Sequence, residues 1–128
     1  MTSGQTVEGI LGGIIQEEFD DERIRSASVV SKTGLMVAGK PASTARAETF
    51  SAMAAIMFSA AETTRKDVIK EDLEQVMALY KGTMVLISEL SATLLLVVLT
   101  DREVDQAQLL EKMSDVVSRA RSEVSWLG

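Results

Sequence analysis

The segment that most resembles a chemical site runs from Gly34 to Lys40 and reads Gly-Leu-Met-Val-Ala-Gly-Lys. Its spacing matches the G-x-x-x-x-G-K part of a phosphate-binding loop, whose backbone N–H groups cradle the phosphates of a nucleotide. Such a loop continues with Ser or Thr, which holds magnesium, but the next residue here is Pro41. The four intervening residues are strand-like, whereas a phosphate loop opens directly into a helix. We therefore predict a hairpin strand here and no nucleotide binding.

Other catalytic and metal-binding chemistry has few candidates. The chain contains no cysteine and no histidine, which removes thiolate chemistry, the usual general base and the commonest metal ligand. The acidic cluster from Glu17 to Glu22 lacks the alternating ligands and central glycine of a calcium loop. Acidic residues oppose the dipole at the end of a helix, so we expect this cluster to be solvated and frayed. The composition predicts a protein that is not an enzyme and that has no cofactor and no metal.

The charge balance bears on the kind of partner. Lys and Arg number 13 against 19 Asp and Glu, which gives a net charge of −6. An acidic surface repels phosphate backbones, so we expect no nucleic acid partner. The longest apolar run, Leu94–Leu99, is far shorter than the ~20 residues of a membrane-spanning helix, so we expect no membrane insertion. Residues 1–5 lack the basic and apolar blocks of a signal peptide, which predicts a cytoplasmic location.

Helical and strand periodicities divide the chain into eight elements. Apolar residues at helical spacing predict three helices, over Thr6–Phe19, over Ala45–Lys66 and from Asp105 to about Leu127. Alternating or continuous apolar runs predict five strands, over Arg23–Lys32, Leu35–Gly39, Leu73–Tyr80, Thr83–Leu90 and Thr93–Thr100. The candidate helix N-caps are Thr2 or Ser3, Ser43 or Thr44, and Asp105.

The order helix-strand-strand-helix-strand-strand-strand-helix predicts an α/β (α+β) fold. Met84–Ile87 and Leu94–Leu99 are apolar on both faces, as expected for central strands that are covered on both sides. One helix on one face and two on the other would cover them. We therefore predict a five-stranded antiparallel sheet in an α/β/α sandwich, formed as a single domain by residues 1–128.

The middle helix has two largely apolar faces. We assign to the core the face that carries the larger side chains, namely Ala47, Phe50, Met53, Ala54, Met57, Phe58 and Ala61. The opposite face is nearly uncharged and mostly small, and an exposed apolar stripe is usually a partner surface. We predict that it is a dimer interface, formed by Ala45, Glu48, Ala52, Ala55, Ile56 and Ser59. Alanine used simply as a good helix former at the surface would explain the same residues.

The predicted strand Leu73–Tyr80 alternates in the manner of a half-covered edge strand. An edge presents unpaired backbone groups, and pairing with its own copy would continue the sheet. The residues expected at this second part of the dimer interface are Gln75, Val76, Met77, Ala78 and Leu79. Glutamate in place of Ala55 or Ile56 is expected to break the dimer, whereas Ser28→Ala is expected to leave it intact.

The order of the elements resembles the Roadblock family, also called the Roadblock-type dynein light chains. The segments that carry the resemblance are Val29–Ala38, Phe50–Met57, Tyr80–Leu86 and Leu94–Asp101. The resemblance implies a Roadblock/profilin-like fold, dimers that share a ten-stranded sheet, and no enzymatic activity. Many members bind and regulate Ras-like small GTPases, including members in prokaryotes. The resemblance does not mark Arg46 or Arg65 as an arginine finger.

Three functions follow as hypotheses. The first is a non-enzymatic homodimeric regulator or scaffold that binds a Ras-like small GTPase. An alternative is a small-molecule-sensing module, which would need a roomy pocket with convergent polar groups. A further alternative is a purely structural self-assembly module of the same fold. Co-purification of a GTPase, of a metabolite or of the chain alone would discriminate among the three.

Overall fold

The computed structural model describes residues 6–40 and 46–124. Within them the helices are α1 (Val7–Glu18), α2 (Ala47–Thr64) and α3 (Gln106–Glu123). The strands are β1 (Ile24–Ser31), β2 (Met36–Lys40), β3 (Val76–Leu79), β4 (Thr83–Glu89) and β5 (Leu94–Asp101). The chain continues from α2 into a π-helical turn, Arg65–Ile69, which we call the tip. The predicted order of elements and fold class are confirmed.

Two of the helices begin at side chains that cap their first turn. The Thr6 hydroxyl accepts a hydrogen bond of 3.0 Å from the Gly9 N–H, and Asp105 accepts one of 3.0 Å from the Gln108 N–H. Asp105 is the cap that the sequence predicts. At α1 the observed cap is Thr6, because it lies three residues before a free N–H of the first turn. The other predicted caps, Thr2, Ser3, Ser43 and Thr44, and also Leu127, lie outside the described residues.

The described strands form a five-stranded antiparallel sheet in the order β2-β1-β5-β4-β3. The first hairpin, β1–β2, and the second, β3–β4, therefore lie on opposite sides of β5. The pairing of β1 with β5 joins residues far apart in the chain, from Ser31 with Leu94 to Ile24 with Thr100. The two outer strands are β2 and β3.

Alternation along β5 divides the core between the two faces of the sheet. Leu94, Leu96 and Val98 belong to the cluster on the face covered by α1 and α3. Leu95 and Val97 belong to the cluster on the opposite face, which is covered by α2. Every one of these five side chains is buried, as expected for a central strand with both faces covered.

The acidic end of α1 is held by α3. The guanidinium of Arg119 donates to Glu17 at 2.8 Å, to Glu18 at 3.2 Å and to Glu123 at 2.7 Å. The expectation of a frayed helix end is therefore wrong. Arg119, on the neighbouring helix α3, supplies the cation that offsets the acidic charge at this end of α1.

Two glycines in the first hairpin adopt left-handed backbone conformations. Gly34 lies in the turn between β1 and β2 with φ of +100°, as its position in the predicted hairpin requires. Gly39 lies in β2, also with φ of +100°, opposite Ser28. A Cβ at Gly39 would come within 2.4 Å of the Ala27 carbonyl oxygen and 2.7 Å of the Ser28 Cα. The backbones of β1 and β2 thus approach more closely here than any side chain allows.

Candidate functional site

The buried stripe of α2 is rotated relative to the prediction. Its buried residues are Ser51, Ala54, Ala55 and Phe58. Ala55, predicted to face outward, is only 6% exposed, whereas Met53, predicted to lie in the core, is 49% exposed. The reason lies in the first hairpin: a Cβ at Gly34 would lie 3.3 Å from the Ala52 Cα. Small side chains on this side of the helix let the hairpin approach closely, so alanine marks a packed side and not a solvent-exposed one.

The exposed side of α2 is nearly uncharged, as predicted. Its exposed residues are Glu48, Thr49, Met53, Ile56, Ser59, Ala60, Thr63 and Thr64. Ile56 lies at the middle of this surface and is 58% exposed. Ala52 is half-buried, and Ala45, the remaining predicted interface residue of the helix, lies outside the described residues. Neither Ala55 nor Ser28, which is 2% exposed, suits a surface substitution.

One flank of α2 is occupied by contacts within the chain. We call this the hairpin-side flank, defined by Ala52, Ala55 and Ser59. Lys32, at the end of β1, places its Nζ 5.3 Å from the centroid of the Phe58 ring and also pairs with Glu89. A cation over an aromatic face is held by the quadrupole of the ring. The hairpin-side flank is therefore covered in part by the first hairpin.

The other flank of α2 faces β3 and contains an apolar groove. We call this the β3-side groove; its volume is about 290 Å³, and its lining residues are Arg46, Thr49, Phe50, Met53, Ala54, Met57, Tyr80 and Val85. Tyr80, directly after β3, is 54% exposed. Among the described residues that line the groove, Arg46 alone is charged. Apolar side chains thus extend continuously from α2 to the end of the edge strand.

Strand β3 is an outer strand whose described pairing is with β4 alone. Val76, Met77 and Ala78 are half-buried, and Leu79 is 55% exposed. The strand begins at Val76 and is therefore shorter than the predicted strand, and Gln75 lies outside it. The Gln75 amide donates to the Ile87 carbonyl at 3.2 Å, and its oxygen accepts from the Ser88 hydroxyl at 3.1 Å. Gln75 thus faces β4 and is not a residue of the free edge.

A cleft larger than the β3-side groove lies on the other side of the molecule, between α1 and β1. Its volume is about 810 Å³, and its lining residues are Gly12, Ile15, Gln16, Phe19, Asp20, Asp21, Glu22, Ile24, Arg25, Ser26, Ala27 and Gly39. Two of its charged groups already have partners, since Asp21 pairs with Arg23 and Arg25 pairs with Asp101. The other charged residues of its lining, Asp20 and Glu22, are both acidic.

Asp21 in this cleft has a pKa that can be tested directly. Hydrogen bonds from the Arg23 side chain, at 3.0 and 2.6 Å, and from the Arg23 N–H, at 2.8 Å, lower the pKa of Asp21 to about 2. Because the folded pKa lies below the usual 3.8, the stability that this pairing contributes is present above about pH 4 and is lost as the pH falls toward 2. An NMR titration of the carboxyl carbon should give a pKa near 2, and Arg23→Ala should raise it; an Asp21 pKa near 4 in the unsubstituted protein would contradict this assignment.

The described residues offer neither a metal-binding cluster nor a membrane-spanning helix. No three acidic side chains in residues 6–40 and 46–124 lie together in a way that could hold a metal ion. Over the same residues, no helix combines the length and apolar character needed to cross a membrane.

A family model places the chain among known proteins. The model of the Roadblock/LC7 domain matches residues 13–100, which is more than half of the sequence. The chain belongs to the Roadblock/LC7 domain family. The resemblance in the sequence is thus confirmed, and the match extends from α1 through most of β5.

Solved structures agree with this Roadblock assignment. A Roadblock/LC7 domain from Streptomyces avermitilis matches with a TM-score of 0.78 and 22% identity, covering 94% of this chain and 99% of that one. MglB of Myxococcus xanthus matches with a TM-score of 0.81 and 10% identity, over 92% and 90% of the two chains. Profilin IA of Acanthamoeba castellanii matches with a TM-score of 0.58 and 11% identity, over 88% and 97%. At these identities the likeness establishes the Roadblock/profilin-like fold. No curated protein sequence matches the chain.

Proposed function

We propose that this Roadblock protein is a non-enzymatic homodimer that regulates or scaffolds a Ras-like small GTPase. The observation that carries the proposal is an exposed apolar helix side beside an outer strand: Met53 is 49% exposed on α2, and Leu79 is 55% exposed on β3. Family membership supports the same function. One solved MglB structure, 15% identical, is described as a tetrameric arrangement, which is in keeping with self-association in the fold.

In the proposed dimer, β3 pairs antiparallel with its own copy, so that the two sheets become one of ten strands. With a two-fold axis beside β3, the β3-side groove of each copy faces the partner. Met53 and Met57 then take the place of Ala55 and Ser59 as the helix residues nearest the partner. The flank with Met53 and Met57 faces β3, whereas Ala55 and Ser59 lie on the hairpin-side flank. The predicted strand residues Val76, Met77, Ala78 and Leu79 remain part of the proposed interface.

The surface that we assign to the GTPase lies on the side of α2 away from the dimer axis. Leu35, in the turn of the first hairpin, is 70% exposed and follows Gly34, which packs against Ala52. We assign the exposed side chains Leu35 and Ile56 together to this surface, which the proposed dimer leaves uncovered. The net charge of −6 favours a partner with a basic patch and a salt-sensitive association.

Pull-downs with Ras-like GTPases of the native host, loaded with GDP or with a non-hydrolysable GTP analogue, test this function. We expect at least one GTPase to be retained, and we expect Leu35→Ser to weaken its binding at least ~10-fold without changing the dimer, because Leu35 would be an exposed anchor at that interface. Titration calorimetry of the dimer measures the affinity. Recovery of no GTPase in either nucleotide state would leave structural self-assembly, and a retained metabolite would favour sensing.

A further inference from the structure

We propose that in the homodimer the tip of each copy inserts Val68 and Ile69 into the β3-side groove of its partner. This inference rests on the proposed dimer and adds to it a second contact, at the far ends of the two α2 helices. It assigns one occupant to the groove, namely a second copy of this chain.

The tip presents two large apolar side chains to solvent. Val68 is 73% exposed and Ile69 is 56% exposed. They lie in a short segment that is otherwise largely charged, with Asp67 before them and Lys70 after. The Lys70 N–H donates to the Arg65 carbonyl at 2.6 Å, and Lys70 has φ of +60°, so the turn is closed by a left-handed residue. Both apolar side chains are therefore presented to solvent by a closed turn.

The tip cannot fill the groove of its own chain. The α2 residues that line the groove lie in the first two thirds of the helix, whereas the tip follows its last residue. At about 1.5 Å of rise per residue, Val68 lies about 22 Å from Met53 along the helix axis. Any tip that occupies the groove must therefore come from another molecule.

The symmetry of an antiparallel β3 pair brings the two features together. Tyr80, directly after β3, lines the groove together with residues from the first two thirds of α2, which indicates that α2 runs antiparallel to β3. The tip therefore lies at the end of the sheet where β3 begins, and the groove lies where β3 ends. When β3 pairs antiparallel with its copy, the start of one strand lies beside the end of the other. Each tip then lies beside the groove of its partner.

The size of the groove agrees with this occupant. The groove volume of about 290 Å³ lies at the lower limit of the ~300–1,000 Å³ range of small-molecule pockets. An apolar groove of this size suits one or two aliphatic side chains.

Disulfide trapping tests the contact, because the chain contains no cysteine of its own. The variant Thr49→Cys/Val68→Cys should form a disulfide-linked dimer under mild oxidation, with twice the 13.8 kDa mass on a non-reducing gel. Within one chain these positions lie about 28 Å apart along the helix axis, far beyond the roughly 7 Å that a disulfide spans between Cα atoms. The matched control Ser59→Cys/Val68→Cys should give little linked dimer, because Ser59 lies on the hairpin-side flank.

A non-covalent variant gives an independent measurement. Val68→Asp should raise the dissociation constant of the dimer at least ~10-fold, measured by analytical ultracentrifugation, because it places a charge in the apolar groove. Val68 is 73% exposed, so this substitution leaves the folded monomer intact, which circular dichroism verifies.

The outcomes separate this inference from the dimer on which it rests. A stable dimer that does not cross-link through positions 49 and 68, or that cross-links equally through the control pair, overturns the tip contact and leaves the dimer standing. A protein that is monomeric at micromolar concentration overturns both.

Discussion

Replacing Met53 by glutamate is expected to turn the dimer into a monomer. Met53 is 49% exposed and lines the β3-side groove, so in the proposed dimer it is buried against the partner. The substitution buries a carboxylate of each copy in the apolar groove against the partner, and burying a charge without a matching partner is costly. We expect the dissociation constant to rise at least ~100-fold. Light scattering at micromolar concentration should then report a 13.8 kDa species.

Ser59→Glu is the matched control for this experiment. Ser59 is also exposed on α2, but it lies on the hairpin-side flank with Lys32 and Glu62. The same charge is added to the same helix, and we expect the dimer to persist. If Ser59→Glu dissociates the dimer and Met53→Glu does not, the interface uses the flank that the sequence predicts and our assignment of the groove is wrong. Ala55→Glu is unsuitable here, because Ala55 is buried and the charge would disrupt the fold.

Gly39→Ala is expected to have the largest effect on stability. Gly39 has φ of +100°, which strains any L side chain, and its Cβ would meet the β1 backbone at 2.4 and 2.7 Å. Backbone atoms cannot move aside as the end of a flexible side chain can. We expect the free energy of unfolding to fall by about 2–4 kcal/mol, from backbone strain and overpacking together. Urea denaturation at a fixed protein concentration measures the change, because the stability of a dimer depends on concentration.

Gly82→Ala provides the comparison. A Cβ at Gly82 would have no atom within 4 Å, and its φ lies outside the left-handed range. We expect a change within about 0.5 kcal/mol, as for most surface substitutions. Equal effects at the two positions would show that the close approach of β1 and β2 at Gly39 is not what limits stability.

The sheet is the part of this fold that the sequence predicts best. Strand β5 is a continuous apolar run, and a run of this kind is typical of a strand covered on both faces. Its pairing with β4 follows from the short turn between the two strands, whereas its pairing with β1, far away in the chain, has no local signal. The end of α1 is predicted less well, because the cation that offsets Glu17 and Glu18 is Arg119, about 100 residues away in the sequence.

The candidate site is only partly predictable, for a physical reason. Sequence periodicity shows that α2 has two apolar sides, but it does not show which alanines pack against a neighbouring backbone. Ala55 is buried because the first hairpin approaches α2 closely, as the contact of Gly34 with Ala52 indicates. The β3-side groove likewise joins Met53 to Tyr80, which belong to different elements. Features that depend on such tertiary contacts have no local pattern.

The position of β5 between the two hairpins has a consequence for synthesis on the ribosome. Strand β1 pairs with β5, and the first residue of β5 to be made, Leu94, lies opposite Ser31. The first hairpin therefore lacks β5 as its neighbour until late in translation. That interval is about 60 residues, or on the order of 3–12 seconds at about 5–20 residues per second. During it, Val29 and Val30 have no β5 beside them, and α2 has no complete sheet to cover. Nascent chains on neighbouring ribosomes therefore expose the same unpaired strand. A chaperone that binds apolar segments has its longest access to this protein before β5 is made.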